Sequence, residues 1–301
     1  MEVLGVVVTP IDLHMHSLFS DDGDHTPEEL VDRAQRQGVQ CMALTDHNGT
    51  RGVAAAVRRG QELGLEVIPG IEIDCQLEGA NLHVLGYYID HERSEFAELE
   101  ADITAQEMAS FTLKVEALRR LGLEVDEEPL LAEAQGKLVG TDRIILQVLQ
   151  RPGAADNPML RPYLRDGEFG AMPIVHFWWD FFAQGRPAYV PMRFMSLEEA
   201  IALVRSSGGV PVLAHPGAHI HEKPELLEPI QRAGIHGLEV FSNYHDAAQR
   251  NFYLGEAKRL GLVPTCGSDF HGRVKPGIEI GGHGADLDGE AMLLALQAGR
   301  G

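Results

Sequence analysis

The sequence predicts an α/β protein: a seven-stranded β/α barrel with a mainly helical subdomain inserted into it. Two observations carry that reading. Short apolar runs alternate with segments of helical period up to about residue 90 and again after about residue 195, as in a parallel sheet joined by crossover helices. Between them runs a long, charged, helical stretch that breaks the alternation.

The elements follow in chain order. A first strand is expected at 6–13. Thr26-Pro27-Glu28-Glu29 has the form of a capping box with proline at the first helical position, and Leu30, Val31 and Ala34 continue an apolar face to Gly38. Strands are then expected at 39–44, 67–73 and 82–89, with a helix at about 51–63. Residues 1–91 and 186–301 are assigned to the barrel and 92–185 to the insert, whose first helix is expected over 92–122. The aromatic run Phe177-Trp178-Trp179-Asp180-Phe181-Phe182 reads first as the core of the insert and second as a lid or stacking surface. Another capping box, Ser196-Leu197-Glu198-Glu199, restarts the alternation. After its helix come strands at 210–214, 238–241 and 263–266, separated by helices from 224 and over 247–260.

Composition narrows the function. The chain has 301 residues, 44% hydrophobic and 23% charged, which excludes disorder, fibrous repeats and a disulfide mini-scaffold. No apolar run is long enough to span a membrane, and the first ten residues lack a basic leader, so the expectation is a soluble, unexported chain. Cys41, Cys75 and Cys266 are odd in number and far apart, which argues against disulfides or a cysteine zinc cage and suits a reducing cytoplasm. Forty-five acidic against 25 basic residues give a net charge of −20, so duplex DNA or long RNA is an unfavourable partner.

The 14 histidines point to metal chemistry, because several stand beside Asp or Glu at strand ends. His14 and His16 close the first strand, and residues two apart in an extended segment face the same side. Thr45-Asp46-His47-Asn48 follows the second strand, Gly70-Ile71-Glu72 follows the third, and His83 opens the fourth. Ala214-His215-Pro216 and Gly267-Ser268-Asp269-Phe270-His271-Gly272 follow two later strands. Strand ends converge on one face of a β/α barrel, where imidazoles and carboxylates form a site for Zn, Mn or Fe.

The ordered set DLHMHS, SDDG, TDHN, GIE, the His83 strand, AHP and GSDFHG resembles the PHP family, named for polymerase and histidinol phosphatase, over about residues 11–90 and 208–272. The resemblance implies a distorted seven-stranded barrel holding up to three divalent metals. His14, His16, Glu72 and Asp269 would hold one, Glu72 would bridge to a second on His83 and His215, and Asp21, His47 and His271 would hold a third. Asp22 reads as a turn former before Gly23. Asp46 reads equally as an orienting partner for an imidazole or as a helix cap. Glu72, Asp269 and His245 would be the catalytic residues, with His245 contacting phosphate or protonating the leaving oxygen. Asn243, on the same polar segment, and Arg143 and Arg186, as phosphate clamps, would bind substrate.

Hydrolysis of a small phosphorylated metabolite is the implied activity, by attack of a hydroxide held between two metals. Nucleotides, nucleoside bisphosphates and sugar phosphates, including a ribose cyclic phosphate, are the expected classes, although Asp142 before Arg143 and Ile144-Ile145 after it depart from the pattern of nucleotide-acting relatives. Two alternatives stand beside this reading: a 5′ exonuclease on short oligonucleotides, and a non-catalytic, metal-stabilised accessory module. His219 and His221 in GAHIHEK read as a loop rather than a further metal site, and Gly281-Gly282-His283-Gly284 as a tail.

Overall fold

The computed structural model describes residues 10–135, 138–220 and 224–300. Strands β1 (Ile11–Asp12), β2 (Cys41–Leu44), β3 (Glu66–Leu77), β4 (Ala80–Tyr87), β5 (Met195–Ser196), β6 (Val210–Leu213), β7 (Gly237–Phe241) and β8 (Val263–Cys266) form one sheet in the order β1-β2-β3-β4-β6-β7-β8, with β5 paired to β3. The Leu13 amide donates to the Cys266 carbonyl at 3.2 Å and Met15 bridges Phe270 in parallel, so the last strand returns to the first and the sheet nearly closes into a barrel. The part of the first strand expected at 6–9 lies outside the described residues.

Helices α1 (Pro27–Arg36) and α2 (Val53–Leu63) link the early strands. Helix α1 starts where the capping box places it: Glu29 N donates to Thr26 Oγ1 at 3.1 Å and Thr26 N to Glu29 Oε2 at 2.9 Å, and the helix buries Leu30, Val31 and Ala34. Helix α3 (Ser94–Arg120) opens the insert, followed by α4 (Glu127–Ala134), α5 (Thr141–Gln150) and α6 (Pro173–Phe181). The chain returns through α7 (Leu197–Ser206), capped by Ser196 and Glu199 in the same reciprocal way, then α8 (Pro216–His219), α9 (Pro224–Arg232), α10 (Ala247–Leu260) and α11 (Gly289–Ala298).

One expectation is corrected. The sheet is not parallel throughout, because β4 runs antiparallel to both β3 and β6. Glu78 and Gly79 connect β3 to β4 with φ of 49° and 83°, the positive values that a two-residue hairpin demands, so no crossover helix intervenes. The reversal brings His83 to the same end of the sheet as the ends of the parallel strands. Asp74 pairs directly with His83, and Glu72 lies two residues from Asp74, so all three side chains share one face.

Barrel and insert have separate apolar cores. The barrel core gathers Ile71, Val84, Leu85, Val212, Leu238 and Val240, while the insert buries Phe111, Val115, Leu118, Ile144, Ile145, Phe177 and Phe181 in its own cluster. Helix α3 joins them, since Phe96 belongs to the first core and Phe111 to the second. The aromatic run divides likewise: its phenylalanines are buried, whereas Trp178 is exposed and Trp179 partly so.

Candidate metal centre

Six strands deliver side chains to one end of the barrel. His14 and His16 follow β1, His47 follows β2, Glu72 and Asp74 come from β3, His83 from β4, His215 follows β6, and Asp269 and His271 follow β8. The backbone is bent to do so: Asp269 has φ 56° and His215 φ 20°, conformations that cost about 1–3 kcal/mol each unless the surroundings impose them. The imposed contacts are visible at Asp269, whose amide donates to the His14 carbonyl at 2.8 Å.

The imidazoles are aimed by their second nitrogens. His14 Nδ1 lies 2.9 Å from Glu239 Oε1, His16 Nδ1 3.0 Å from Ser20 Oγ, and His271 Nδ1 2.9 Å from the Asp269 carbonyl. A proton on each Nδ1 satisfies these acceptors and leaves the Nε2 lone pair pointing into the centre. Glu239 also accepts from the His215 amide at 2.8 Å. Asp46 takes the orienting role rather than the capping one: it accepts from Ser17 N and Oγ at 2.6 and 2.7 Å and from Ser20 Oγ at 3.3 Å, fixing the hydroxyl that holds His16.

The inward-facing atoms fit divalent cations. Buried and without a hydrogen-bond partner are His14 Nε2, His16 Nε2, His47 Nδ1, His215 Nδ1, His271 Nε2, Asp22 Oδ1, Glu72 Oε2, Asp74 Oδ1 and Asp269 Oδ1. Buried polar atoms are almost always paired, so their convergence calls for an ion. His14 and His16 Nε2 lie 3.1–3.3 Å from Glu72 Oε2 and Asp269 Oδ1, the mutual spacing of ligands about 2 Å from one metal. His47, Glu72 and His83 form a second group of donors, and His16, Asp22, His47 and His271 a third.

Electrostatics in the metal-free protein bind the cluster together. Burial opposes the charge on Glu72, yet His14, His47 and His83 hold its carboxyl well below the usual range. Burial likewise opposes charge on His47, but Glu72, Asp22 and Asp74 raise it to about 9. For His16 burial wins, helped by His271 and His47, and its pKa falls to about 4.

The third group departs from the sequence reading. Asp22, not Asp21, approaches the histidines, with its Oδ2 3.1 Å from His271 Nε2, while Asp21 is exposed. Gly23 sets this: a Cβ there would stand 1.9 Å from the Ser17 carbonyl, so the loop folds back tightly, and in that return Asp22 faces inward.

His245 is also corrected. It is buried, its Nδ1 lies 2.8 Å from the Val240 carbonyl and its Nε2 accepts from the Gly217 amide at 2.9 Å, so both ring nitrogens serve the main chain and neither is offered to a phosphate. Asn243 likewise donates to the Ser268 carbonyl at 2.7 Å. Arg143 is turned to Glu133 on α4, and Arg186 is exposed on the loop after α6.

Three residues escaped the sequence reading. Lys275 Nζ lies 2.7 Å from Asp269 Oδ2 and 2.6 Å from Tyr244 Oη, and Tyr244 Oη lies 2.7 Å from the same carboxylate oxygen. The pair occupies one oxygen of Asp269 and leaves Oδ1 facing His14 and His16. Asp74 was detectable from its place two residues beyond Glu72 on one strand. His283 is fully buried with Nε2 2.8 Å from the Ile11 carbonyl, packed against the first strand.

Known proteins resemble this chain in sequence and fold. The chain matches the PHP domain over residues 12–139. It is 29% identical to a 3′,5′-nucleoside bisphosphate phosphatase of Chromobacterium violaceum, covering 92% of each chain. It is 30% identical to a phosphoribosyl 1,2-cyclic phosphate 1,2-diphosphodiesterase of Eggerthella lenta, over 87% of this chain and 94% of the relative. Identity to the 5′-3′ exoribonuclease Rnm of Escherichia coli is 31%, over 90% and 87%. A crystal structure from Bifidobacterium adolescentis, described as a metal-dependent phosphoesterase, superposes with a TM-score of 0.73 at 26% identity, covering 97% of this chain and 96% of that one. With its histidine and carboxylate cluster set at the mouth of such a barrel, the chain belongs to the PHP family of metal-dependent phosphoesterases.

Proposed function

We propose that this protein hydrolyses a small phosphorylated metabolite at the metal centre, with a nucleoside bisphosphate, another nucleotide or a ribose phosphate, cyclic or open, as substrate. The observation that carries this reading is the convergence of buried, unpartnered ligand atoms at one barrel end. His14, His16, Glu72 and Asp269 would hold one divalent ion, Glu72 with His83 and His215 a second, and His16, Asp22, His47 and His271 would surround a third, of Mn, Fe or Zn. Bound there, such ions supply Lewis acidity, which lowers the pKa of water and neutralises phosphoryl oxygens.

The chain's own groups do the rest. Glu72, fully buried among imidazoles, joins two ligand sets through its two oxygens. Glu239 and Ser20 hold His14 and His16 in one tautomer, so the site need not reorganise as charge develops. Lys275 and Tyr244 fix Asp269 and add a cation beside a substrate anion. Arg143 on the insert and Arg186 at its junction with the barrel would clamp the far end of the substrate, Arg143 after exchanging Glu133 for phosphate. Buried, unpaired Cys41, Cys75 and Cys266 suit a cytoplasmic location.

The test is phosphate release by protein reconstituted separately with Mn²⁺, Fe²⁺ and Zn²⁺, on a panel of AMP, 3′,5′-bisphosphates, histidinol phosphate, ribose phosphates and a ribose cyclic phosphate, with His14→Ala as control. Turnover that disappears in the control supports the proposal, and silence across every metal and substrate removes it. A second reading, trimming of short oligonucleotides, draws on the identity to the exoribonuclease, and release of mononucleotides from short single strands in preference to the panel would favour it.

A further inference from the structure

We propose that His219 is a further ligand of the ion assigned to Glu72, His83 and His215, contributed by the short helix α8. The idea rests on the metal-dependent reading above. Helix α8 begins directly after His215, so His215 and His219 are four residues apart across one turn, the spacing that places two side chains on the same side. That turn is fixed from below: Gly217 N donates to His245 Nε2 at 2.9 Å, Ala218 N to the His215 carbonyl at 2.9 Å and Ile220 N to the Pro216 carbonyl at 2.8 Å. A Cβ on Gly217 would stand 2.6 Å from the His245 ring, so the two pack in contact. The role of His245 is thereby explained: it seats the turn that carries the ligand.

The result is a three-imidazole group. The His219 ring centroid lies 4.5 Å from that of His83 and 5.2 Å from that of His215, and a nitrogen of each lies within 4.8 Å of the others. Ligands on one ion at about 2.0–2.1 Å cannot be more than about 4 Å apart, so the three rings would close toward one another to share it. Glu72 Oε1 stands 2.8 Å from His83 Nδ1 and 3.0 Å from His215 Nε2. Three imidazoles and one carboxylate make this position richer in nitrogen than the pair of imidazoles and pair of carboxylates around His14. Its other side faces the insert, where Trp179 lies 6.1 Å from the His219 ring. Loading of this position therefore links barrel to insert through a single side chain.

The experiment is titration of the metal-free, full-length protein with Co²⁺, following visible absorption and bound metal by elemental analysis, for wild type, His219→Ala, His219→Gln and His14→Ala. Both His219 variants are expected to bind one ion at least tenfold more weakly, with a changed absorption band for that ion, while retaining the rest. In wild type, labelling of His219 by diethyl pyrocarbonate, read by mass spectrometry, is expected to fall on saturation with Zn²⁺; this arm decides the matter if the variants do not fold. Unchanged Co²⁺ affinity and spectrum in folded variants, or labelling undiminished by Zn²⁺, overturns the assignment. If wild type binds ions and His14→Ala loses one while the His219 variants lose none, this inference alone falls. Failure of wild type to bind any divalent ion removes it together with the metal-dependent reading.

Discussion

The barrel mouth and the insert are built to different standards. At the mouth, His14, His16 and His271 each have one nitrogen pinned by a carboxylate, hydroxyl or carbonyl and the other free to bind. On the insert and at its junction with the barrel, Arg143 and Arg186 are exposed, the first paired with Glu133 across neighbouring helices. In the proposed function, strand ends supply the reactive geometry and exposed side chains at a separately cored helical unit supply recognition. A mouth fixed in this way serves different substrates when the insert varies, in keeping with relatives whose names span a bisphosphate, a cyclic phosphate and RNA.

If that contrast holds, damage should grade from mouth to insert. Glu72→Gln is expected to be the most severe, lowering phosphate release by about a thousandfold and reducing bound metal, because it removes one ionised oxygen donor from two ligand sets at once. Full metal content and near-normal turnover in that variant would show that Glu72 bridges nothing. Glu239→Gln should weaken metal binding about 10–100-fold with the fold intact, as read by competition with a chromophoric chelator, since the His14 tautomer is no longer enforced.

The acidic pair sharpens the comparison within the mouth. Asp22→Asn should lose about tenfold in affinity for one ion, whereas Asp21→Asn should match wild type; equal effects would contradict the inward placement of Asp22. Protons and metals also compete. His47 is raised to about 9 and His14 well above its ordinary value in the metal-free protein, despite burial, by the carboxylates around them. Each must lose its proton to bind an ion, so apparent metal affinity should climb as pH rises from about 6 to 9 and proton release should accompany binding. A flat profile would mean those imidazoles are not ligands. The mildest effect is expected at the insert: Arg143→Ala and Arg186→Ala should each raise KM several-fold with little change in kcat or metal content, the mark of lost substrate binding.

Much of the mouth was legible because the strand-ending segments carry ligand residue types directly, and a period of two assigns their side. Legibility failed where the direction of a side chain depends on a turn. Asp21 and Asp22 are neighbours of the same type, and the close packing of Gly23 against Ser17 chooses between them. His245 follows a strand as the ligands do, yet its ring turns back under α8, a matter of tertiary packing that spacing does not encode. Lys275 directly follows a short 3₁₀ turn without apolar period, so nothing local announced its contact with Asp269. The direction of β4 was missed for a different reason. Its apolar run is compatible with either direction, and the Glu78-Gly79 turn was the readable signal.

That turn has a consequence for how this protein tolerates change. Glu72, Asp74 and His83 ride on one two-stranded ribbon whose register is set at its tip, where Leu77 pairs with Ala80. Insertion or deletion of a single residue there would slide β4 by one position and swing His83 to the opposite face, away from Glu72 and Asp74. A surface loop that touches no substrate would then be as unforgiving of length variation as the metal ligands are of substitution.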